Sequence, residues 1–227
     1  DYLLVGRAVV DAVQSSGSVT RLIFTSSAAS LFGDVDLTEL RLRPVINEER
    51  SPNLSNPKNQ DLRSFGYVRA KLDCEQLFLQ AGALSKGRWD VVVINPSDNL
   101  GPILSRHHAE ARQAWTPWHC TVARILEGRH PEPAFQHRPW WVVDVRDTAE
   151  AHVRLLESRA EGVPGSRYFI CSGARIAVED VRLALVRVLP EALLEEGQKE
   201  ALPPPPLEAV AQLSSALQLS ATPAVPL

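Results

Sequence analysis

The sequence contains no methionine, and it is poor in cysteine. Because no residue can serve as the initiator, we expect a preceding segment upstream of Asp1, together with any targeting signal that it carries. The three cysteines, Cys74, Cys120 and Cys171, are far apart and form no CxxC pair, which argues against a disulfide framework and against a zinc site. This cysteine usage is typical of a reducing compartment, so we predict a cytoplasmic protein that binds no metal.

Positive charge and long apolar runs are also scarce. The 24 basic and 27 acidic residues give a net charge of −3, which is not the electrostatic footprint of a nucleic-acid-binding protein. No apolar run reaches the roughly 18 residues that span a bilayer, so we expect no membrane association. The composition, 44% hydrophobic and 22% charged, is typical of a globular protein, and nothing in it predicts an oligomeric state.

Apolar runs of two kinds alternate along the chain. Short β-rich runs predict strands at residues 19–27, 89–97, 140–145 and 167–171, and helical periodicity predicts helices at residues 2–14, 64–82, 148–158 and 178–189. This alternation indicates a mostly parallel sheet covered by helices. A stretch rich in Pro, Asn and Glu at residues 34–63 predicts a long loop, and the proline-rich end of the chain looks peripheral.

Two predictions concern local detail. The first helix is expected to present one apolar face, formed by Leu3, Leu4, Ala8, Val9, Ala12 and Val13. Asp147 and Glu150, three residues apart, are expected to form a capping box at the start of a later helix.

Tyr67 and Lys71 lie four residues apart in "SFGYVRAKLDCE", a spacing that places both side chains on one face of a helix. Carbonyl reduction needs a proton donor, and a phenol with a pKa near 10 is too weak an acid unless a nearby charge favours the phenolate. An ammonium at about 4 Å supplies about 4 kcal/mol in an effective dielectric of about 20. In the alternative interpretation, Tyr67 packs in the core and Lys71 forms a solvated salt bridge with Glu75.

Four segments in order, "RLIFTSSAAS", "YVRAK", "VVVINPSDNLGP" and "WWVVDVRDTAEAH", resemble the extended short-chain dehydrogenase/reductase family. The resemblance is to its branch of dihydroflavonol reductases, cinnamoyl-CoA reductases and ketone reductases, and it covers roughly residues 5 to 185. It implies an α/β fold: a partial Rossmann-like, doubly wound parallel sheet with a small C-terminal substrate lobe. It also implies a catalytic half at residues 1–102, a mixed substrate lobe with returning strands and helices at 103–200, and a proline-rich tail at 201–227.

The same resemblance implies the roles of the site residues. Tyr67 would donate a proton, Lys71 would tune its pKa, and Ser27 would bind the carbonyl group of a small-molecule substrate, with Ser26 as second choice. The cofactor would be NADP(H) or NAD(H), with NADP(H) favoured. Its nicotinamide end would be held by Lys71, Pro96, Ser97 and Asn99.

The chain departs from the family pattern in two ways. The GxxGxxG turn that cradles the cofactor pyrophosphate is absent. We therefore expect that the first three strands of the fold are missing and that this chain alone binds NADPH poorly. Asp98 and Asn99 are polar in a turn that is usually apolar. Two alternatives to a carbonyl reductase stay open: a sugar-nucleotide epimerase or dehydratase, and a non-catalytic binding protein with the same fold.

Overall fold

The computed structural model describes residues 2–32, 46–49, 51–52, 54–55, 57–60, 64–102, 111, 115–126, 139–158, 167–171, 176–177, 184 and 187. Its contacts divide the chain into two units, one of residues 1–97 with 148–170 and one of residues 98–147 with 171–227. Most of the predicted loop at 34–63, most of the predicted helix at 178–189 and the whole proline-rich tail lie outside the described residues. The predicted domain boundaries at residues 102 and 200 stay predictions.

The elements of the first unit follow the predicted alternation. In chain order they are α1 (Tyr2–Ser16), β1 (Arg21–Thr25), α2 (Ala29–Phe32), α3 (Pro57–Gln60), α4 (Phe65–Leu84), β2 (Asp90–Pro96), the later part of α6 (Val145–Glu157) and β6 (Arg167–Ile170). Those of the second unit are β3 (Asp98–Leu100), α5 (Pro117–Leu126), β4 (Pro139–Trp140), β5 (Val142–Asp144), the first turn of α6 and β7 (Ile176–Ala177). Within these residues, no helix is long and apolar enough to cross a bilayer.

A parallel sheet in the order β1-β2-β6 forms the centre of the first unit. Arg21 pairs with Asp90 at the amino ends of β1 and β2, and Pro96 pairs with Ile170 where β2 ends. A crossover that contains α4 joins β1 to β2, as parallel neighbours require. The predicted α/β architecture with a parallel sheet is confirmed.

Strand β2 is apolar throughout because both of its faces are covered. Val91 and Val93 belong to a buried cluster with residues of α1 and α4, and Val92 and Ile94 belong to a second cluster with Leu155 of α6. Val93 and Ile94 have no solvent exposure, and burying a side chain of this kind contributes about 1.5–3 kcal/mol. Because β2 is packed on both faces, its carboxyl end at Pro96 is held in a fixed position.

The predicted apolar face of α1 is partly wrong. Leu3, Val9 and Val13 pack in the core as predicted, together with Val10, which was not predicted, but Leu4 is 64% exposed. Ala8 and Ala12 are exposed as well. The reason is Gly6, which is buried against α4, where an added Cβ would lie 3.0 Å from Leu77. A prediction based on apolar residues alone missed this glycine, and the contact face is rotated toward it.

The segment after Pro96 is a strand in the second unit and not the predicted turn. Asp98 and Asn99 pair in parallel with Val142 and Val143, so β3 and β5 form a two-stranded sheet. The predicted strand at 140–145 is also divided, because β4 pairs separately with β7.

Helix α6 begins earlier than predicted, and its capping residue is different. The carboxylate of Asp144 accepts a hydrogen bond from the backbone N–H of Arg146 at 2.8 Å, which is the geometry of an N-cap. The guanidinium of Arg146 also bonds to this carboxylate and holds the pKa of Asp144 below its usual value. Asp147 therefore lies in the first turn of the helix, and the predicted capping box with Glu150 is wrong.

Candidate active site

Tyr67 and Lys71 lie one turn apart at the beginning of α4. The Nζ atom of Lys71 is 5.7 Å from the centroid of the Tyr67 ring, so the two side chains share a face as the spacing predicts. Tyr67 is 41% exposed and does not pack in the core. The Tyr67 side chain is thus partly exposed, with a cation beside its ring.

Lys71 carries its ammonium group to the carboxyl end of β1. Its Nζ atom donates a hydrogen bond to the backbone carbonyl of Thr25 at 3.0 Å and lies 5.4 Å from the ring centroid of Phe24. Burial lowers the pKa of Lys71, and the nearby Cys74 and Glu75 partly oppose that change. A half-buried cation near the end of a parallel strand matches the place where α/β sheets bind ligands.

Ser27 follows Thr25 by two residues, in the turn between β1 and α2. Its hydroxyl oxygen accepts a hydrogen bond from the N–H of Ala29 at 3.2 Å, and the side chain is half-buried. Ser26 is different, because it is 4% exposed and its hydroxyl donates to the carboxylate of Glu75. Of the two serines, only Ser27 therefore has a hydroxyl that is not buried within this network.

The other proposed cofactor residues lie at the end of β2, between β2 and β3, and in β3. Pro96 is the last residue of β2 and is buried, and its carbonyl accepts from the N–H of Ala28 at 2.8 Å. Ser97 is 6% exposed, and its N–H donates to the carbonyl of Ile170 at 2.9 Å. Asn99 lies in β3 of the second unit and is half-buried.

Residues 3–171, which are more than half of the chain, match the model of the NAD dependent epimerase/dehydratase family. The chain belongs to this family. The predicted family resemblance is confirmed by that match.

Similarity to individual family members and to solved structures is more distant. The chain is 27% identical to dihydroflavonol 4-reductase of Zea mays over 184 residues, which are 81% of this chain and 46% of the maize protein. Yeast methylglyoxal/isovaleraldehyde reductase, solved with NADPH, superposes with a TM-score of 0.62 at 20% identity, over 81% of this chain and 52% of the yeast chain. Thermus thermophilus UDP-glucose 4-epimerase, solved with NAD, superposes with a TM-score of 0.55 at 23% identity, over 82% of this chain and 53% of the Thermus chain. The chain thus spans about half the length of these proteins, and the two structures establish the fold alone.

Sequence analysis did not predict that Glu75 is buried. It is 3% exposed and pairs with Arg167 on β6, with 3.1 Å between Nε and Oε2. The solvated bridge between Lys71 and Glu75, which belonged to the alternative interpretation, is therefore wrong. Glu75 lies seven residues after the buried Val68 and three before the buried Phe78, so helical periodicity places it on the core face. That spacing was the available signal for a buried acid.

Tyr2 is a second residue that sequence reasoning did not assign to the site. Its ring contacts the ring of Tyr67 edge-on, with 6.3 Å between centroids, and the ammonium of Lys71 lies 5.7 Å from its centroid. An aromatic ring at this distance attracts a cation. No spacing rule links the start of α1 to α4, so only the tertiary structure shows this contact.

Proposed function

We propose that this chain provides the catalytic part of an NAD(P)H-dependent reductase that converts an aldehyde or a ketone to an alcohol. The observation that carries this proposal is an exposed phenol, Tyr67, with the ammonium of Lys71 beside its ring at the carboxyl end of β1. The similarity to a dihydroflavonol reductase supports reduction over the other activities of the family.

The described residues fit the nicotinamide end of a dinucleotide. Among the residues that the structure describes, Lys71 makes one hydrogen bond, to Thr25, and an ammonium group has three donors. Two donors are therefore available for ribose hydroxyls. We propose Pro96 and Ser97 as further contacts, while the contact by Asn99 stays a prediction from sequence. We propose NADP(H) rather than NAD(H) from the resemblance to the reductase branch; the yeast reductase was solved with NADPH and the Thermus epimerase with NAD.

When bound, a reduced nicotinamide supplies a hydride to the carbonyl carbon. Tyr67 donates its phenolic proton to the carbonyl oxygen, and Lys71 stabilises the phenolate that remains. The ammonium lies 5.7 Å from the centroid of the Tyr67 ring and favours the phenolate electrostatically, an effect that water partly screens because the lysine is half-exposed. The Ser27 hydroxyl oxygen accepts a hydrogen bond from the N–H of Ala29. Its O–H can rotate, and we propose that it donates to the substrate carbonyl oxygen to which Tyr67 gives its proton.

The test uses the native protein that contains residues 1–227. Oxidation of NADPH is followed with a set of aldehydes and ketones, and Tyr67→Phe is expected to reduce kcat by roughly 100-fold or more while the Kd of NADPH stays unchanged. Tyr168→Phe on β6 is the matched control, since it removes a phenol that packs in the core on the other side of the sheet. An unchanged kcat in Tyr67→Phe would contradict the assignment.

Two other outcomes would replace this function. Interconversion of UDP-sugars without net consumption of NADPH would identify an epimerase. A protein that binds the cofactor or another ligand but turns over neither class of substrate would be a non-catalytic member of the family.

A further inference from the structure

Glu75 is the centre of a buried polar cluster. Its Oε1 atom accepts hydrogen bonds from the hydroxyls of Ser26 and Ser30, the latter at 2.5 Å, and from the Asn95 side-chain amide at 2.9 Å. Its Oε2 atom faces Nε of Arg167 at 3.1 Å. We call these five residues the Glu75 cluster.

The cluster joins separate elements of the first unit. Glu75 lies on α4, Asn95 on β2, Arg167 on β6, and the two serines in and after the turn that leaves β1. Arg167 also donates to the Ser30 carbonyl at 3.0 Å. Burying an ion pair rarely adds net stability, because desolvation of the two charges offsets their attraction. Another role must therefore be considered for this arrangement.

The Glu75 cluster surrounds the backbone of Ser27. Ser26 precedes it directly, and the Ser27 carbonyl accepts from the N–H of Ser30 at 3.0 Å. The Ser30 hydroxyl lies 2.7 Å from the same carbonyl, and its single proton is donated either to this carbonyl or to the Glu75 carboxylate. The same carbonyl accepts from the Asn95 amide at 3.3 Å. The groups that bind Glu75 are thus the groups that hold Ser27, while Tyr67 and Lys71 are on the helix that carries Glu75.

Given the reductase function proposed above, we propose that Glu75 is a positioning residue: it fixes the Ser27 turn against the helix that bears Tyr67 and Lys71. Loss of this carboxylate lets the turn shift relative to α4. A displacement of about 1 Å at a reacting group can reduce turnover by roughly 100-fold. The binding of NADPH does not depend on the Ser27 hydroxyl and is expected to be unaffected.

The test compares variants at the two ends of the sheet in the native protein. Glu75→Gln keeps the side-chain shape but removes the charge. Ser26→Ala, which removes one hydrogen bond to Glu75, is a second test variant and decides the question if Glu75→Gln does not fold. Asp90→Asn is the matched control, because it breaks the partly buried ion pair with Arg21 at the amino ends of β1 and β2. Each is assayed well below its unfolding midpoint for kcat, for the Kd of NADPH and for amide exchange in residues 26–32.

We expect Glu75→Gln and Ser26→Ala to reduce kcat by roughly 10- to 100-fold at constant Kd, and to accelerate amide exchange in residues 26–32. Asp90→Asn is expected to change neither. Unchanged kcat in both test variants, or an equal loss in Asp90→Asn, would overturn the positioning role.

Failure of the proposed function is distinguishable from failure of this role. If the unmodified protein reduces no carbonyl substrate, the reductase function is wrong, and amide exchange alone decides whether Glu75 holds the turn. Faster exchange in Glu75→Gln, absent from Asp90→Asn, would then support the structural part. Equal exchange in all variants would overturn it.

Discussion

Two ion pairs lie at opposite ends of the same parallel sheet, and their surroundings differ. At the amino end, Arg21 contacts both carboxylate oxygens of Asp90, at 2.9 and 2.7 Å. The Nη1 atom of the same arginine donates to the backbone carbonyls of Leu155 and Ser158, at 2.7 and 2.9 Å. The amino-end pair therefore connects two strands to backbone carbonyls at the end of α6.

Near the carboxyl ends of β1 and β2, the Glu75 carboxylate is more deeply buried than that of Asp90 and is surrounded by side-chain hydroxyls and an amide. Its partner Arg167 is the first residue of β6 and is about as buried as Arg21. The Oδ1 atom of Asn95 is buried without a hydrogen-bond partner among the described residues, which costs about 1–3 kcal/mol. One turn away along α4, burial lowers the pKa of Lys71.

The difference indicates how the two ends are used. At the amino end, Arg21 and Asp90 satisfy each other and hold the sheet together, although the adjacent Trp89 Nε1 is buried without a hydrogen-bond partner among the described residues. Polar groups at the carboxyl end include a desolvated lysine and an unsatisfied amide oxygen, which are unfavourable for folding. Such local costs are typical of functional sites, where pKa shifts and buried networks serve binding or catalysis.

The largest expected effect is at the carboxyl end. Arg167→Met leaves the Glu75 carboxylate buried without its charged partner, and removing one member of a buried pair costs about 3–5 kcal/mol. Urea unfolding of the protein should show this loss in the free energy of unfolding. A loss below about 1 kcal/mol, which is typical of solvated surface ion pairs, would contradict the prediction that this pair is buried.

A smaller loss of stability is expected at the amino end. The side chains of Arg21 and Asp90 are 13% and 25% exposed, so water partly replaces the contacts that Asp90→Asn removes. We expect a loss of about 1–2 kcal/mol in the free energy of unfolding, toward the lower end of the range for hydrogen bonds to charged groups. Turnover should be unchanged. A loss as large as that of Arg167→Met would remove the distinction between the two ends.

The sequence predicted the framework of the carboxyl end but not the Glu75 cluster. Unbroken apolar runs predicted β1 and β2, since strands covered on both faces need no alternation. The spacing of four residues predicted that Tyr67 and Lys71 share a face. The pairing of Glu75 with Arg167 was not predicted, because it joins a helix to a strand far away in the chain and no local rule relates them.

Errors in the predicted elements arise where the local sequence pattern defines neither the backbone conformation nor the strand partner. Asp144 and Asp147 are both acidic residues near the start of α6, and a pattern search cannot tell a cap from a first-turn residue without the backbone conformation. Two short strands at 139–140 and 142–144 read as one apolar run, although they pair with different partners. Strand pairing is a tertiary property, so the apolar run alone could not predict this division.

A pH-dependent difference of a few tenths of a kcal/mol is expected for Lys71→Met, small because the lysine is half-exposed and screened by water. The pKa of Lys71 is lowered in the folded protein, so the unfolded chain holds this proton more tightly. The resulting cost to stability is fully present at neutral pH, below the folded pKa, and is lost as pH rises past the unfolded value near 10.4. Wild type should therefore gain stability relative to Lys71→Met between neutral pH and that value. Urea unfolding at both pH values measures the gain, and a shift in favour of the variant would contradict the burial of this lysine.

The smallest effect is expected for Arg69, which is on the same helix as Glu75 but directed to solvent. Its Nε atom lies 3.0 Å from the carboxylate of Asp73, and the two side chains are 56% and 30% exposed. The arginine precedes the acid, which is the less favourable order for a pair spaced by four residues on a helix. Arg69→Ala should therefore cost about 0.2–0.3 kcal/mol, and added salt should remove the difference. The variant also separates the effect of the net charge of α4 from the effect of the Glu75 cluster, because it removes a cation two residues from Lys71 and leaves the cluster intact. If its kcat fell as far as that of Glu75→Gln, the loss in Glu75→Gln would reflect the general charge of α4 and not the placement of Ser27.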